Sequence, residues 1–508
     1  MGKALYMGKS KNLSLFNFLS LTALMVLTVY EYPTFATAKL HLLFFVIIFG
    51  IFWFMPISLV AAEMASVKGW EDGGVYGWVS NALGQRFGFA AIFFEWFQVT
   101  VSFVTMSYFI LGALSYVFDW PALNTNPWMK FIGVLLIFWG LTITQLLGAK
   151  KTAQIAQVGF IAGILIPSLI FFGLAAFYIF KGGSLEIKFG LKELIPNFTE
   201  LSTLVIASSF ILAFGGIEAS APHVNELKNS QKNYPIVIII LIFLTIFLDG
   251  AGGISVAAVV PQKELSLSAG VIQAFDYLMN QFGNNFNWFV KLMAILIAFG
   301  VIAEIASWII GPSKGMYVAA QKGLLPIKFR KLNKHGVPTP VLILQGVVVT
   351  VWDAILTFGG GSDNVSFLAA ISLTVVIYLL CYILIFISYF SLIYRFQNKA
   401  RTYSAPGGKF GKTLLATSGI LLSIFAFFIS FVTPSSLPKA QGHIYQVVLL
   451  SSFVIAVVIP FIVYAMRNHF GEENKEFKII HLKSKDVNKF VHPIGRGEYL
   501  IKKNKKIK

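Results

Sequence analysis

The chain contains twelve apolar runs that are each long enough to cross a lipid bilayer, for which about 20 helical residues suffice. Of its 508 residues, 57% are hydrophobic and only 12% are charged, which excludes a soluble multidomain protein because such a chain needs a charged surface. The sequence therefore predicts an all-α polytopic membrane protein. Its predicted segments, numbered 1 to 12, are 14–38, 41–63, 86–118, 131–148, 154–180, 201–225, 234–260, 288–318, 339–358, 366–394, 413–433 and 443–466.

The basic residues are distributed unequally between the two sides of the predicted membrane. With the N-terminus in the cytoplasm, 32 Lys and Arg residues fall on the cytoplasmic side and 8 outside, and 12 of the 32 belong to the C-terminal tail. Positively charged loops favour the cytoplasm, so we expect a bacterial plasma-membrane protein with both termini inside. The net charge of +18 thus reflects topology, and no nucleic-acid partner is expected. The single cysteine, Cys381, excludes an intrachain disulfide framework.

Segments 1 and 6 are both interrupted by residues that break helices. Such breaks at matching positions of two inverted repeats indicate the binding site of a secondary transporter, although a proline can also merely kink a packed helix. The pairing of the two breaks favours the transporter. The helix-breaking residues are Pro33 in segment 1 and Gly215, Gly216 and Pro222 in segment 6, and each break lies next to a glutamate, Glu31 or Glu218.

This pairing divides the chain into two repeats of five segments, followed by two extra helices and a polar tail. The tail carries 12 Lys and Arg residues against five acidic ones, a composition that also suits contact with anionic lipid headgroups. The predicted units are a transporter domain at 1–466, with repeats at about 14–180 and 201–394 and extra helices at 413–466, and a cytoplasmic tail at 467–508.

Seven acidic residues lie within the predicted segments, and no Lys or Arg is expected deep enough to pair with them. An unpaired carboxylate in hydrocarbon costs several kcal/mol, so each should be protonated, face a cavity or lie near the interface. We expect the interface for Glu63 and Asp353, which fall near segment ends, and a cavity for the acids that flank the breaks or lie mid-segment. The seven acids are Glu31, Glu63, Glu95, Glu218, Asp249, Glu304 and Asp353.

Residues four apart on segments 8 and 10 form two polar–aromatic pairs, each on one helix face. Such pairs often serve packing alone, but buried hydroxyl and carboxyl groups need partners. Aromatic rings and acids together suit an ammonium group, and the backbone N–H groups freed at a helix break suit a carboxylate, so the expected substrate is a small zwitterion. The predicted pocket comprises Tyr30, Trp96, Glu304, Trp308, Tyr378 and Tyr382.

Several sequence blocks carry a resemblance to a known family. They include YEYPTFAT, GWEDGGVYGWVSNALG, GGIEASAPHVNE, LSAGVIQAF and GVIAEIASWIIGPSKGMYVAAQKGLLP. Together they resemble the glutamate/γ-aminobutyrate antiporters of bacterial acid resistance, within the amino acid–polyamine–organocation superfamily. The resemblance implies twelve transmembrane helices in a LeuT-like five-plus-five inverted repeat. It also implies exchange of external glutamate for internal γ-aminobutyrate by alternating access, and a functional link to a cytosolic glutamate decarboxylase, without cofactor, metal or enzymatic activity.

The resemblance also assigns residues. Segment 3 departs from the family pattern, because Trp96 stands where a tyrosine is expected and Glu95 is added. In the tail, KFVHPIGRGEYLIKKN resembles the family's cytoplasmic plug, which closes the path near neutral pH and here would use His492, Arg496 and Tyr499. The transport-path positions implied by the resemblance are Tyr30, Glu218, Glu304, Trp308, Tyr378 and Tyr382.

Three alternatives stay open at this point. The same scaffold could exchange another amino acid for its decarboxylated amine, and the intramembrane acids would suit a dication. A membrane-embedded hydrolase could be argued from GPSKG at 311–315, which fits G-x-S-x-G, but that motif requires a strand–turn–helix setting. A channel would conduct without a counter-substrate, and the paired breaks argue against it.

Overall fold

A computed structural model describes residues 14–70, 73–147, 152–220, 227–282, 286–359, 363–435, 437–473, 477–481, 492–495 and 498–502. The predicted interrupting residue Pro222 and the predicted plug residue Arg496 lie outside these ranges. Segment 1 is divided into the helices Leu15–Val26 and Tyr32–Ala36, and segment 6 into Leu201–Leu204, Ala207–Ala213 and Ile217–Ser220. The helices of the other segments are His41–Phe49 with Met55–Ala65, Gln85–Val117, Pro127–Leu146, Thr152–Val158 with Ile166–Phe180, Ser230–Val259, Asn287–Gln321, Thr339–Phe358, Asp363–Tyr394, Gly408–Ile429 and Lys439–Ala465.

Shorter elements connect these helices. Short π-helical stretches at Gly50–Phe54 and Gly159–Leu165 join the two parts of segment 2 and of segment 5 into continuous helices. The connecting helices are Val75–Leu83, Ala122–Thr125, Leu191–Glu193, Gly270–Asn280, Ile327–Arg330 and Arg467–Glu473.

Ten helices in the described part of the chain are long and apolar enough to span a membrane. They correspond to segments 2–5 and 7–12, and they confirm the prediction of a helical polytopic membrane protein. Segments 1 and 6 are divided into shorter apolar helices, so the total of twelve spans and the inverted repeat stay predictions.

The predicted interruptions in segments 1 and 6 are present. The first helix of segment 1 ends at Leu27, whose backbone is extended (φ −89°, ψ 123°), and a second helix begins with Pro33 in its first turn. Proline is favoured there because its missing N–H would have no partner at a helix start. Segment 6 is interrupted at Gly216, whose φ of +107° lies in a region that residues with a Cβ rarely adopt.

The broken segments and segment 3 are buried in the interior. The most apolar stretch of segment 3 is 94% buried, and this helix packs against segments 8 and 10. The corresponding stretches of segments 4, 11 and 12 are only 28% buried, so these helices form the lipid-facing periphery. The first half of segment 1 contacts the second half of segment 6, which places the two breaks side by side.

The tail forms a small antiparallel sheet. Its strands are β1 (Phe477–His481), β2 (His492–Gly495) and β3 (Glu498–Lys502), in the order β1–β3–β2. The predicted plug residues His492 and Tyr499 therefore lie on β2 and β3. Strand β2 contacts the helix Val75–Leu83, which connects segments 2 and 3.

Candidate substrate-binding site

A small cavity of about 20 Å³, hereafter the central cavity, lies where the two broken segments meet segments 3, 8 and 10. This volume holds about one water molecule and no amino acid. The structure therefore represents a closed state of the site. The lining residues are Met25, Thr28, Tyr30, Gln98, Val99, Ser102, Met106, Leu212, Gly215, Glu304, Trp308 and Tyr378.

Five of the predicted site residues line this cavity. Glu304 and Trp308 share one face of segment 8, as their spacing predicts, and both are almost completely buried. Tyr30 comes from the break of segment 1, Gly215 from the break of segment 6 and Tyr378 from segment 10. Four segments thus contribute these five residues to one point in the interior.

The glycine pair of segment 6 permits this close approach. A Cβ on Gly216 would overlap the carbonyl oxygen of Met25 and lie 2.9 Å from Cζ2 of Trp308. A Cβ on Gly215 would lie 2.6 Å from Cε1 of Tyr378. Only glycine fits at these two positions, because a real Cβ is essentially never found so close to another heavy atom.

Glu218 organises the tyrosine pair of segment 10 instead of lining the central cavity. The hydroxyl of Tyr382 donates to Oε2 of Glu218 at 2.8 Å, and the hydroxyl of Tyr378 donates to Oε1. The backbone N–H of Gly216 donates to the Tyr382 hydroxyl at 3.3 Å. The carboxyl group therefore fixes Tyr378, which is the member of the pair that reaches the cavity.

A cluster of acids adjoins the central cavity without basic side chains in the described residues around it. Glu31 interacts electrostatically with both Glu304 and Asp249. Both carboxyl groups are buried, and that of Asp249 has no hydrogen-bond partner among the described residues. Buried carboxyl groups of this kind need a proton or a cationic ligand nearby. Asp249 is an intramembrane acid that the sequence reasoning left outside the site.

Segment 3 contributes other residues than predicted. Trp96 is buried outside the cavity lining and its ring packs 6.0 Å from that of Phe93, whereas Gln98 and Ser102 line the cavity. The added acid Glu95 is also buried and interacts electrostatically with Glu218. Gln98 and Ser102 are four residues apart, a polar spacing that the sequence displays and that could have identified this face.

Glu63, which was expected at the membrane interface, lies near the end of its helix and is paired within the protein. Its side chain is fully buried, and Oε1 accepts from Arg401 Nη1 at 2.5 Å and from Lys412 Nζ at 2.6 Å. Oε2 accepts from the Tyr389 hydroxyl and from the backbone N–H of Ala405, both at 2.8 Å. Arg401 belongs to the linker after segment 10, which turns back into the protein, and Lys412 belongs to the second turn of the helix Gly408–Ile429. The expectation that no Lys or Arg pairs with the intramembrane acids is therefore wrong.

Asp353, the other acid expected at the interface, is buried within the protein as well. Its Oδ1 accepts from the Thr357 hydroxyl at 3.0 Å, and that hydroxyl is 2.6 Å from the hydroxyl of Tyr108. The ammonium group of Lys130 lies 4.5 Å from the centre of the Tyr108 ring. Lys130, in the helix of segment 4, is therefore close enough to interact electrostatically with Asp353. The positions of the two residues in the sequence did not reveal this proximity.

The G-x-S-x-G match has no hydrolase setting. Ser313 lies inside the helix Asn287–Gln321, and its hydroxyl donates to Oε1 of Gln345 at 2.8 Å. A nucleophilic serine in this motif requires a sharp turn between a strand and a helix. The match is therefore a coincidence of composition.

The sequence model of the amino acid permease family matches residues 13–453. The chain is 57% identical to a glutamate/gamma-aminobutyrate antiporter of Lactococcus lactis subsp. lactis, over 98% of this chain and 99% of that protein. It shows the same identity and coverage with the protein of that name from subsp. cremoris. An uncharacterized transporter of Legionella pneumophila is 31% identical, over 89% of this chain and 96% of its own length. The chain belongs to the amino acid permease family.

Proposed function

We propose that the chain is an antiporter that exchanges extracellular glutamate for intracellular γ-aminobutyrate across a bacterial plasma membrane by alternating access. The central cavity at the junction of the two broken segments, with its buried acids, is the observation that carries this proposal. The names of the two Lactococcus relatives support the substrate pair. The chain acts in this proposal as a transporter and not as an enzyme, and it uses no cofactor.

The cavity residues suit the two ends of a small zwitterion. Glu304 with Tyr30 and Trp308 offers an acid and aromatic faces to an ammonium group, which is attracted to both. Where segment 6 is interrupted, the N–H of Gly215 donates to the carbonyl oxygen of Leu212 at 2.9 Å and the N–H of Gly216 donates to the Tyr382 hydroxyl at 3.3 Å. These N–H groups become available to a substrate carboxylate when opening of the cavity releases them. Because the closed cavity is too small for a substrate, each exchange requires the segments around it to separate.

The charge carried in each cycle explains a use in acid resistance. Glutamate that enters with a protonated side chain carries no net charge, whereas γ-aminobutyrate that leaves as a cation carries one positive charge. Decarboxylation of glutamate in the cytosol consumes a proton, so a cytosolic glutamate decarboxylase is the proposed functional partner. The excess of Lys and Arg on one side, 32 against 8, supports a topology with both termini cytoplasmic.

Exchange in proteoliposomes tests the proposal. Vesicles loaded with γ-aminobutyrate are expected to take up radiolabelled glutamate, and empty vesicles are expected to take up none, because the return step needs a substrate. Vesicles loaded with agmatine or cadaverine, and given arginine or lysine outside, are the matched control for the rival substrate pairs. Equal uptake into loaded and empty vesicles would contradict obligate exchange, and exchange with the rival pairs alone would favour them.

The tail is proposed as a gate that closes the path near neutral pH. Its strand β2 contacts the helix Val75–Leu83, and the tail holds His469, His481 and His492 among 12 basic and five acidic residues. Acidification protonates histidines and carboxylates, which weakens ion pairs and adds repulsion between cations, so the tail should leave.

Deletion of the residues after 470 is therefore expected to raise exchange several-fold at neutral pH without changing exchange in acid or the substrates used. Glutamate uptake into proteoliposomes, measured across a pH series, gives the comparison. The matched control deletes only 503–508, which removes four lysines and keeps all three strands. Superimposable pH profiles of the long deletion and the full chain would show that the tail is not the gate.

A further inference from the structure

A second cavity, of about 210 Å³, opens at one end of the molecule and is hereafter the outer cavity. Its walls come from the connections between segments 1 and 2 and between 11 and 12, and from the first turns of segments 6 and 10. In the proposed topology this end faces the outside of the cell. The volume is about ten times that of the central cavity and below the roughly 300–1,000 Å³ of sites for drug-sized ligands, which suits a small metabolite.

The polar lining of the outer cavity is basic and hydroxyl-rich. Lys39 is exposed there and forms no ion pair with any described residue, and Nδ1 of His41 is buried without a hydrogen-bond partner in the described structure. Ser208, Ser209 and Ser435 add hydroxyl groups, and the described lining contains no carboxylate. The positive charge of this lining is opposite to the charge that the acid cluster beside the central cavity carries when ionised, so the two cavities favour different chemical groups.

The backbone holds Lys39 in an unusual conformation. Its φ of +51° lies in the left-handed region, which residues other than glycine, asparagine and aspartate seldom adopt. The N–H of Lys39 donates to the carbonyl oxygen of Ala36 at 3.0 Å, so the turn follows directly on the second helix of segment 1. Strained turns of this kind often belong to binding sites, because the surrounding structure must maintain them.

We infer that the outer cavity binds a small carboxylate and, given the proposed function, receives the carboxylate of the incoming external amino acid before the central cavity opens. Lys39 pairs with the carboxylate, and His41 and the hydroxyls of Ser209 and Ser435 donate hydrogen bonds to it, whereas the Ser208 hydroxyl donates to the carbonyl oxygen of Val205. An occupant touches Thr37 and Ala38, just after the second helix of segment 1, and Val205, Ile206, Ser208 and Ser209 in segment 6.

This placement gives the occupant access to the parts that must move. The half-helix Ala207–Ala213 of segment 6 lines the outer cavity with Ser208 and Ser209 and the central cavity with Leu212. A ligand in the outer cavity therefore contacts this half-helix, the turn that follows the half-helix of segment 1, and segment 10. A ligand shifts a conformational equilibrium only through contacts that differ between the two states. Contacts to these parts differ between an open and a closed state, which couples occupancy of the outer cavity to opening of the central one.

Thiol labelling tests the outer cavity without any transport. Ser435→Cys introduces a cysteine at the exposed rim, and the native Cys381 is buried and therefore inert to a membrane-impermeant thiol reagent. Glutamate and propionate are expected to slow the labelling several-fold, whereas butylamine, which has no carboxylate, should not. Adding Lys39→Gln should remove the protection. Lys263→Gln, an exposed lysine outside the cavity lining, is the matched control and should keep it.

Exchange kinetics supply the second measurement. Lys39→Gln is expected to raise KM for external substrate several-fold without changing the maximal rate or KM for internal substrate, because only capture from outside is weakened. Protection that survives Lys39→Gln, or protection by butylamine equal to that by propionate, would overturn the carboxylate site. Protection by glutamate in a protein that exchanges no glutamate would instead overturn the proposed function and leave the site intact.

Discussion

Glutamate exchange is expected to be lost when Glu304 is replaced by glutamine, while the protein remains folded. Glu304 lines the central cavity from the middle of segment 8, where its carboxyl group can pair with a substrate ammonium group. Removing one partner of a buried charge pair costs about 2 kcal/mol or more, which corresponds to a fall of roughly 25-fold or more in kcat/KM. Initial rates of glutamate uptake into vesicles loaded with γ-aminobutyrate measure this loss.

Two further variants make the result specific to the carboxyl group of Glu304. Glu304→Asp keeps the acid but withdraws it by one methylene, so it should retain part of the exchange that Glu304→Gln loses. Glu264→Gln removes an exposed acid outside the cavity lining and should leave exchange unchanged. Size-exclusion profiles and thermal unfolding establish that each variant folds. Exchange by Glu304→Gln at the parental rate would show that Glu304 does not take part in substrate binding.

The helical segments and their interruptions were predictable because their causes are local. A run of about 20 apolar residues spans a bilayer wherever it occurs, and a proline or a glycine pair disturbs a helix through its own backbone. Pro33 and Gly216 each lie at an interruption in the structure, as predicted. The face shared by Glu304 and Trp308 was predictable for the same reason, since their spacing of four residues is a property of one helix.

The face of segment 3 that meets the central cavity was not predictable from hydrophobicity. This helix is buried nearly all round, so its apolar residues follow no stripe that would indicate an orientation. Trp96 and Gln98 are two positions apart, which at 3.6 residues per turn places them about 200° apart on the helix. A prediction of Trp96 for the site therefore selected the opposite side, and only the packing against segments 8 and 10 reveals the cavity face.

Contacts between distant parts of the chain were also beyond the sequence. Arg401 and Glu63 are 338 positions apart, and the basic residues of the linker after segment 10 have the composition of an ordinary cytoplasmic loop. The structure shows that this linker enters the protein and pairs with the end of segment 2. The N–H of Lys68 donates to Ala400 at 2.8 Å, and the N–H of Thr402 donates to Ser66 at 3.3 Å. Glu63 thus lies at the centre of a junction between segment 2 and the linker.

Replacing Glu63 by glutamine is expected to destabilise this junction. Arg401 and Lys412, whose side chains are each 12% exposed, would lose their shared carboxylate, and breaking a buried ion pair from one side costs roughly 3–5 kcal/mol. The temperature of thermal unfolding in detergent should fall by several degrees. Adding Arg401→Gln and Lys412→Gln to the same chain should restore part of the loss, because no buried charge then lacks a partner. Lys68→Gln, an exposed change in the same connection, should have little effect.

An unchanged unfolding temperature of Glu63→Gln would show that the ion pairs do not stabilise the protein. A triple variant less stable than the single one would show that the two cations stabilise the protein even without Glu63.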